Sequence, residues 1–159
     1  LTSINLPEGL QTIGNSAFAN SGVMNVHIPS TITHIGDWAF GWASSLQTVH
    51  IGTNSQLQHI GSHAFHGSPV RSIFIPHGVL DFAWGYGMNW LEGIYVPENH
   101  VAFYSRNGIL YNRMADGNFS FRHIPNFVSG NIEIPYGVTT IPREFRNREG
   151  IRQVTIPSS

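Results

Sequence analysis

The chain has no cysteine and no lysine. The first absence removes disulfides, thiolate metal sites and thiol nucleophiles together. It leaves the compartment open, since secreted and cytosolic proteins can both do without the residue. The second makes all 8 basic residues arginine. Charge is scarce altogether: charged residues make up 11% of the chain and the net charge is -1. Bulk attraction to nucleic acid or to an anionic membrane is therefore not expected. Apolar residues reach 41%, yet no run is long enough to span a membrane. Phosphate loops, dinucleotide fingerprints and G-x-S-x-G elbows are also missing, so neither a cofactor nor a serine nucleophile is expected. Glycoside hydrolysis needs two placed carboxylates, and only Glu92 and Glu133, beside Tyr95, can be assembled for it.

What the chain does have is repetition. The stretch from Val26 to Phe40 holds an apolar alternation closed by proline (Val26, Ile28, Pro29), a second apolar pair closed by glycine (Ile32, Ile35, Gly36) and the pair Ala39-Phe40. The same order appears at Ile4, Leu6, Pro7, Leu10, Ile13, Gly14, Ala17 and Phe18, and again from Leu46 to Phe65 with Gly52 in the proline slot. A fourth unit opens at Val70, Ile73, Ile75 and Pro76, then degrades from Phe82. A fifth opens at Leu91, Ile94, Val96 and Pro97 and is interrupted. Its second half resumes at Ile132, Ile134 and Pro135, and a last opening follows at Ile151.

A period of about 21–24 residues is that of a solenoid. Alternating apolar residues make a short strand with one inward face. Proline ends it because it cannot donate to a ladder, and glycine permits a tight corner. One such unit cannot bury its own face, whereas stacked units can. The interruption, about residues 98–130, contains Arg106-Asn107-Gly108, the signature of a tight hairpin, and predicts a small antiparallel excursion. The expected organisation is one domain over 1–159, with regular repeats over about 1–90, the insert at 98–130 and repeats from 131 onward. Because Leu1 already lies inside a repeat and Ser159 follows a repeat's opening, the chain reads as a piece of a longer protein.

The pattern I-x-I-P followed by V-x-x-I-G-x-x-A-F resembles the BspA-type leucine-rich repeat. Tyr104-Ser105-Arg106-Asn107-Gly108-Ile109-Leu110-Tyr111-Asn112 is similar to an insert found in such arrays. The resemblance covers nearly all of the chain except Phe82 to Asn89. It implies a right-handed coil of short parallel strands with short helical turns. It also implies a secreted or cell-surface setting, adhesion or ligand binding, and no enzyme activity.

Function is to be sought at positions that the coil does not need. One side chain per strand points out of the sheet. Successive units place Asn5, His27, His50, Phe74, Tyr95, Glu133 and Thr155 there. With strands ~4.8 Å apart, His27, His50, Phe74 and Tyr95 would form a continuous ring ladder beside a smaller row of Ser3, Asn25, Thr48, Ser72 and Gly93. Flat rings among hydrogen-bonding groups suit sugars or an extended peptide. The alternative is that such rings simply favour strands and stack across them. Trp38 and Trp42 bracket Ala39-Phe40 where nothing large is required, and partial exposure is expected for both. Trp84 and Trp90, in the degraded unit, are expected to pack.

A second histidine row, His34 and His59 after Thr12, lies near His63 and His66. Imidazoles can hold zinc, copper or nickel, but no supporting carboxylate pattern accompanies them beyond Asp37, and solvated corner histidines are the expectation. Arg143, Arg146, Arg148 and Arg152 with Glu144 and Glu149 read as a solvated, internally paired face. The sequence thus predicts a non-catalytic, monomeric recognition module. Its ligand would be an extracellular protein, or else a polysaccharide if the module is attached to a carbohydrate-active enzyme. A structural spacer is the third reading.

Overall fold

A computed structural model describes residues 1–83, 87–146 and 148–158. In chain order the strands are β1 (Thr12–Ile13), β2 (Asn25–Ile28), β3 (His34–Ile35), β4 (Thr48–Ile51), β5 (His59–Ile60) and β6 (Ser72–Phe74). They continue as β7 (Gly93–Tyr95), β8 (Phe103–Arg106), β9 (Ile109–Arg113), β10 (Phe119–His123), β11 (Gly130–Glu133) and β12 (Ile151–Thr155).

The repeat makes a β-solenoid. Its main face is a parallel sheet in the order β2-β4-β6-β7. Like meets like across the pairing: Val26 lies opposite Val49, His27 opposite His50 and Ile28 opposite Ile51. Val26, Ile28, Val49, Ile51, Ile73 and Ile94 point inward and are buried. Each such burial contributes roughly 1.5–3 kcal/mol, which is what fixes the register. The second apolar pair of each of the first three coils makes a smaller parallel sheet, β1-β3-β5, that sequence reading treats only as a corner. The Ala-Phe pairs stack in a column, Phe18 on Phe40 at 5.3 Å and Phe40 on Phe65 at 5.5 Å.

Corners between coils are turns. Among the described residues the one helical segment is a 3-10 turn at Arg143–Phe145. A side-chain ladder joins successive corners: Asn15 Oδ1 accepts from the Asp37 amide at 2.9 Å, and Asp37 Oδ1 accepts from the Ser62 amide at 2.7 Å. Ser68, wholly buried, does similar work further along, accepting from the Ala43 amide at 3.1 Å and donating to the Phe40 carbonyl at 2.6 Å.

The interruption is a three-stranded antiparallel sheet, β10-β9-β8. Its hairpin turns at Asn107 (φ 53°) and Gly108 (φ 76°), two consecutive left-handed residues as a tight primed turn requires. This tip is built into the stack. Ile94 N–H donates to the Gly108 carbonyl at 2.9 Å, and Glu133 N–H donates to Asn107 Oδ1 at 3.1 Å. The hairpin tip thus stands between β7 and β11 where a strand would otherwise lie. Strand alternation in β9 also splits the core, sending Leu110 into the first cluster and Ile109 and Tyr111 into a second with Ile124, Val128, Ile132 and Ile134. β11 and β12 pair in parallel and continue the coil.

Candidate functional site

On the main sheet the outward residues sit where the alternation puts them, but the four-ring ladder is broken. His27 and His50 do stack, with centroids 4.8 Å apart and planes 18° from parallel, matching the strand spacing. Phe74 is half-buried and packs against the core cluster. Tyr95 is 50% exposed, yet its ring folds back along its own strand. A Cβ built on Gly93 would lie 2.6 Å from the Tyr95 hydroxyl oxygen, so that hydroxyl occupies the space a side chain at 93 would need. The absence of a side chain at Gly93, expected only to leave the rings accessible, is what lets Tyr95 lie flat. Arg71 pairs with Glu92 and Arg106 pairs with Glu133 on the exposed surface of this region. The bond to Glu133 holds the Arg106 guanidinium above its ordinary value. Both carboxylates once assembled for acid–base work are therefore committed to arginines.

Trp38 and Trp42 occupy left-handed backbone positions, φ 56° and 57°. Their counterparts one coil away are Ser16 and His63 for the first slot, and Asn20 and Gly67 for the second, all at positive φ. Each of the first three coils therefore has two left-handed corners flanking its Ala-Phe pair. Asparagine and glycine at the second slot were the sequence signal for this, since both tolerate that conformation. Trp42 is 54% exposed and Trp38 is half-buried. Trp38 stacks on His63 at 4.6 Å with planes 6° apart, and the Trp42 ring meets His66 edge-on at 4.9 Å. His63 and His66 are thus partners of the tryptophans, not freely solvated corner residues. Ser62 Oγ lies 2.6 Å from His63 Nδ1 and orients its ring.

His34 and His59 are exposed on the smaller sheet with ring centroids 5.9 Å apart, beside an open hollow of about 450 Å³ that also includes Asp37. Among the described residues no group of three or more His, Asp or Glu is placed to hold a metal ion. His100 is buried instead: its Nε2 donates to the Pro76 carbonyl and its Nδ1 accepts from the Ala102 and Phe103 amides, each at 3.2 Å. Burial holds its pKa below the ordinary histidine value.

Two expectations fail near the insert. Trp90 is not packed away: it is 53% exposed and stacks against Phe127, with centroids 6.0 Å apart and planes 2° from parallel. Trp84 lies outside the described residues. The alignment of Leu91 with Val128 places Trp90 and Phe127 at the same coil position, a signal readable from the repeat and missed. Nor, among the described residues, is the arginine-rich segment internally ion-paired. Arg148 donates to the carbonyls of Ile124, Pro125 and Glu144 and to Asn126 Oδ1, so it ties the coil together.

Residues 1–84 match the family model described as a BspA type leucine rich repeat region of six copies. The chain belongs to this family. Three solved structures share the fold seen here. The pneumococcal vaccine antigen PcpA superposes with a TM-score of 0.72 at 18% identity, over 92% of this chain and 37% of that one. A leucine rich cell surface protein of Faecalibacterium prausnitzii gives 0.67 at 22% identity, over 96% and 47%. A leucine-rich repeat protein of Eubacterium ventriosum gives 0.60 at 24% identity, over 94% and 46%. The chain therefore spans less than half the length of each of these structures. A search of curated proteins found no match. Among the described residues no helix is long and apolar enough to cross a membrane.

Proposed function

We propose that this BspA-type array is a non-catalytic recognition module of a secreted or surface-anchored protein, with its ligand held on the outward face of the main sheet. One observation carries the reading. The parallel register brings His27 and His50 into a ring-on-ring stack on a face that also presents a half-exposed Tyr95 lying flat over Gly93. None of these rings is needed by the core, and rings of this kind anchor binding surfaces because they bury much area at low entropy cost. The commitment of Glu92 and Glu133 to arginines argues against an acid–base pair. The likeness to a leucine rich cell surface protein supports an extracellular setting. An extracellular protein is the first ligand class and a polysaccharide along the rings the second.

The test is surface-plasmon binding of the isolated chain to immobilised extracellular-matrix proteins, alongside affinity electrophoresis in soluble polysaccharides. His50→Ala with Tyr95→Ala is expected to weaken any binding at least tenfold while the circular-dichroism melt stays unchanged. Turnover of those polysaccharides by the chain would overturn the non-catalytic reading.

A further inference from the structure

We propose that the stacked pair Trp90 and Phe127, with the groove beside it, is a subsite for the pyranose rings of an uncharged polysaccharide. This rests on the recognition reading and adds a ligand class and a second location. Both rings stay 53% exposed although they are among the largest apolar side chains in the protein. Packing explains only the face each presents to the other, which leaves a broad apolar surface open to solvent.

That surface is held in place from below. The Phe127 amide donates to the Leu91 carbonyl at 3.0 Å, tying the two coils together directly next to the rings. With planes 2° from parallel, the pair presents an ordered platform. The adjoining groove has a volume of about 630 Å³ and is lined by Glu92, Asn126, Phe127, Ser129, Arg148 and Glu149 among others. Its wall is therefore mostly polar, which disfavours an apolar peptide helix. Glu92 is matched by Arg71, and Glu149 stands in the same wall as Arg148, so the groove is close to electrically balanced. A balanced groove gives no field for nucleic acid or an anionic membrane. The Asn126 amide reaches Asn89 only at 3.5 Å, a bond long enough to be exchanged for one to a hydroxyl. A ligand with one apolar face and a rim of hydroxyls matches a ring platform edged by amides, carboxylates and a hydroxyl. A pyranose has that form.

The probes are soluble mixed-linkage β-glucan, xylan and glucomannan in native affinity gels, with tryptophan fluorescence titration of the retarded polysaccharide. The wild-type chain is expected to be retarded by at least one. Trp90→Ala and Phe127→Ala are each expected to weaken that binding tenfold or more, with the fold retained and only a small fall in melting temperature, since about half of each ring is exposed. Asn126 is bonded to Arg148, so Ser129→Ala, which removes a hydroxyl from the groove wall, is the polar variant, with a smaller loss expected. Retardation that survives Trp90→Ala and Phe127→Ala but is lost in His50→Ala with Tyr95→Ala overturns this subsite and leaves the sheet-face reading standing. No retardation by any of the three polysaccharides also overturns it, while binding to matrix proteins would still support the recognition reading.

Discussion

Gly61→Ala is the substitution that most sharply probes how the coils stack. A Cβ at this position would lie 2.5 Å from the Asp37 amide nitrogen and 2.5 Å from the Gly36 carbonyl carbon. Both are backbone atoms of the preceding coil, so no side chain can swing aside and the coils themselves must part. The Gly61 amide also donates to the Ile35 carbonyl at 2.7 Å, a bond that such parting lengthens. Overpacking of this kind costs about 1–3 kcal/mol and a weakened hydrogen bond about 1 more, so a loss of roughly 2–4 kcal/mol is expected. For a chain of this size that lowers the melting temperature by roughly 5–15 °C. Gly14 is the internal control. It holds the same place in the first coil, and a Cβ there would meet nothing within 4 Å. Gly14→Ala should be neutral, or stabilise by about 0.4–1 kcal/mol through the unfolded chain. Urea unfolding followed by circular dichroism separates the two. Equal midpoints for Gly61→Ala and Gly14→Ala would refute the stacking account.

Three further outcomes follow from buried polar groups. The Tyr111 hydroxyl is buried without a hydrogen-bond partner among the described residues, and burial pushes its pKa far above the ordinary phenol value. Tyr111→Phe should therefore be neutral or raise stability by about 1 kcal/mol, and a clear fall in melting temperature would reveal an overlooked partner. Ser68→Ala removes an acceptor for the Ala43 amide and a donor to the Phe40 carbonyl, both buried, and should cost about 1–3 kcal/mol in denaturant titration. Burial lowers the pKa of His100, and burial with the charges of Arg148 and Arg122 lowers that of His123. The unfolded chain then binds more protons than the folded one just below pH ~6.5. Stability should be complete above that value and fall as the pH drops toward 5. Melting temperatures that rise from pH 7 to pH 5 would contradict this.

The coil was legible because its signal is periodic: Ile28, Ile35 and Phe40 recur at intervals that only a stacked unit satisfies. The β1-β3-β5 sheet was not, because two-residue strands such as His34–Ile35 are too short to show alternation. The hairpin at Asn107-Gly108 could be read from its turn residues, but its insertion between β7 and β11 depends on contacts far apart in sequence. The candidate site was half legible. Alternation placed His27, His50 and Tyr95 outward, whereas the fold-back of Tyr95 depends on the empty space at Gly93, which no spacing rule reports. Trp90 was misjudged because a large apolar ring in an irregular stretch looks like packing until its partner Phe127 is brought beside it, in the next coil.

The most direct measurement of the central claim compares the wild-type chain with the triple variant His27→Ala, His50→Ala and Tyr95→Ala on immobilised matrix proteins and soluble polysaccharides. The account predicts that the wild type binds at least one of them, and that the triple variant loses at least tenfold in affinity with an unchanged melting temperature. Failure of the wild type to bind any of them, or a triple variant that binds as well as the wild type, would contradict it.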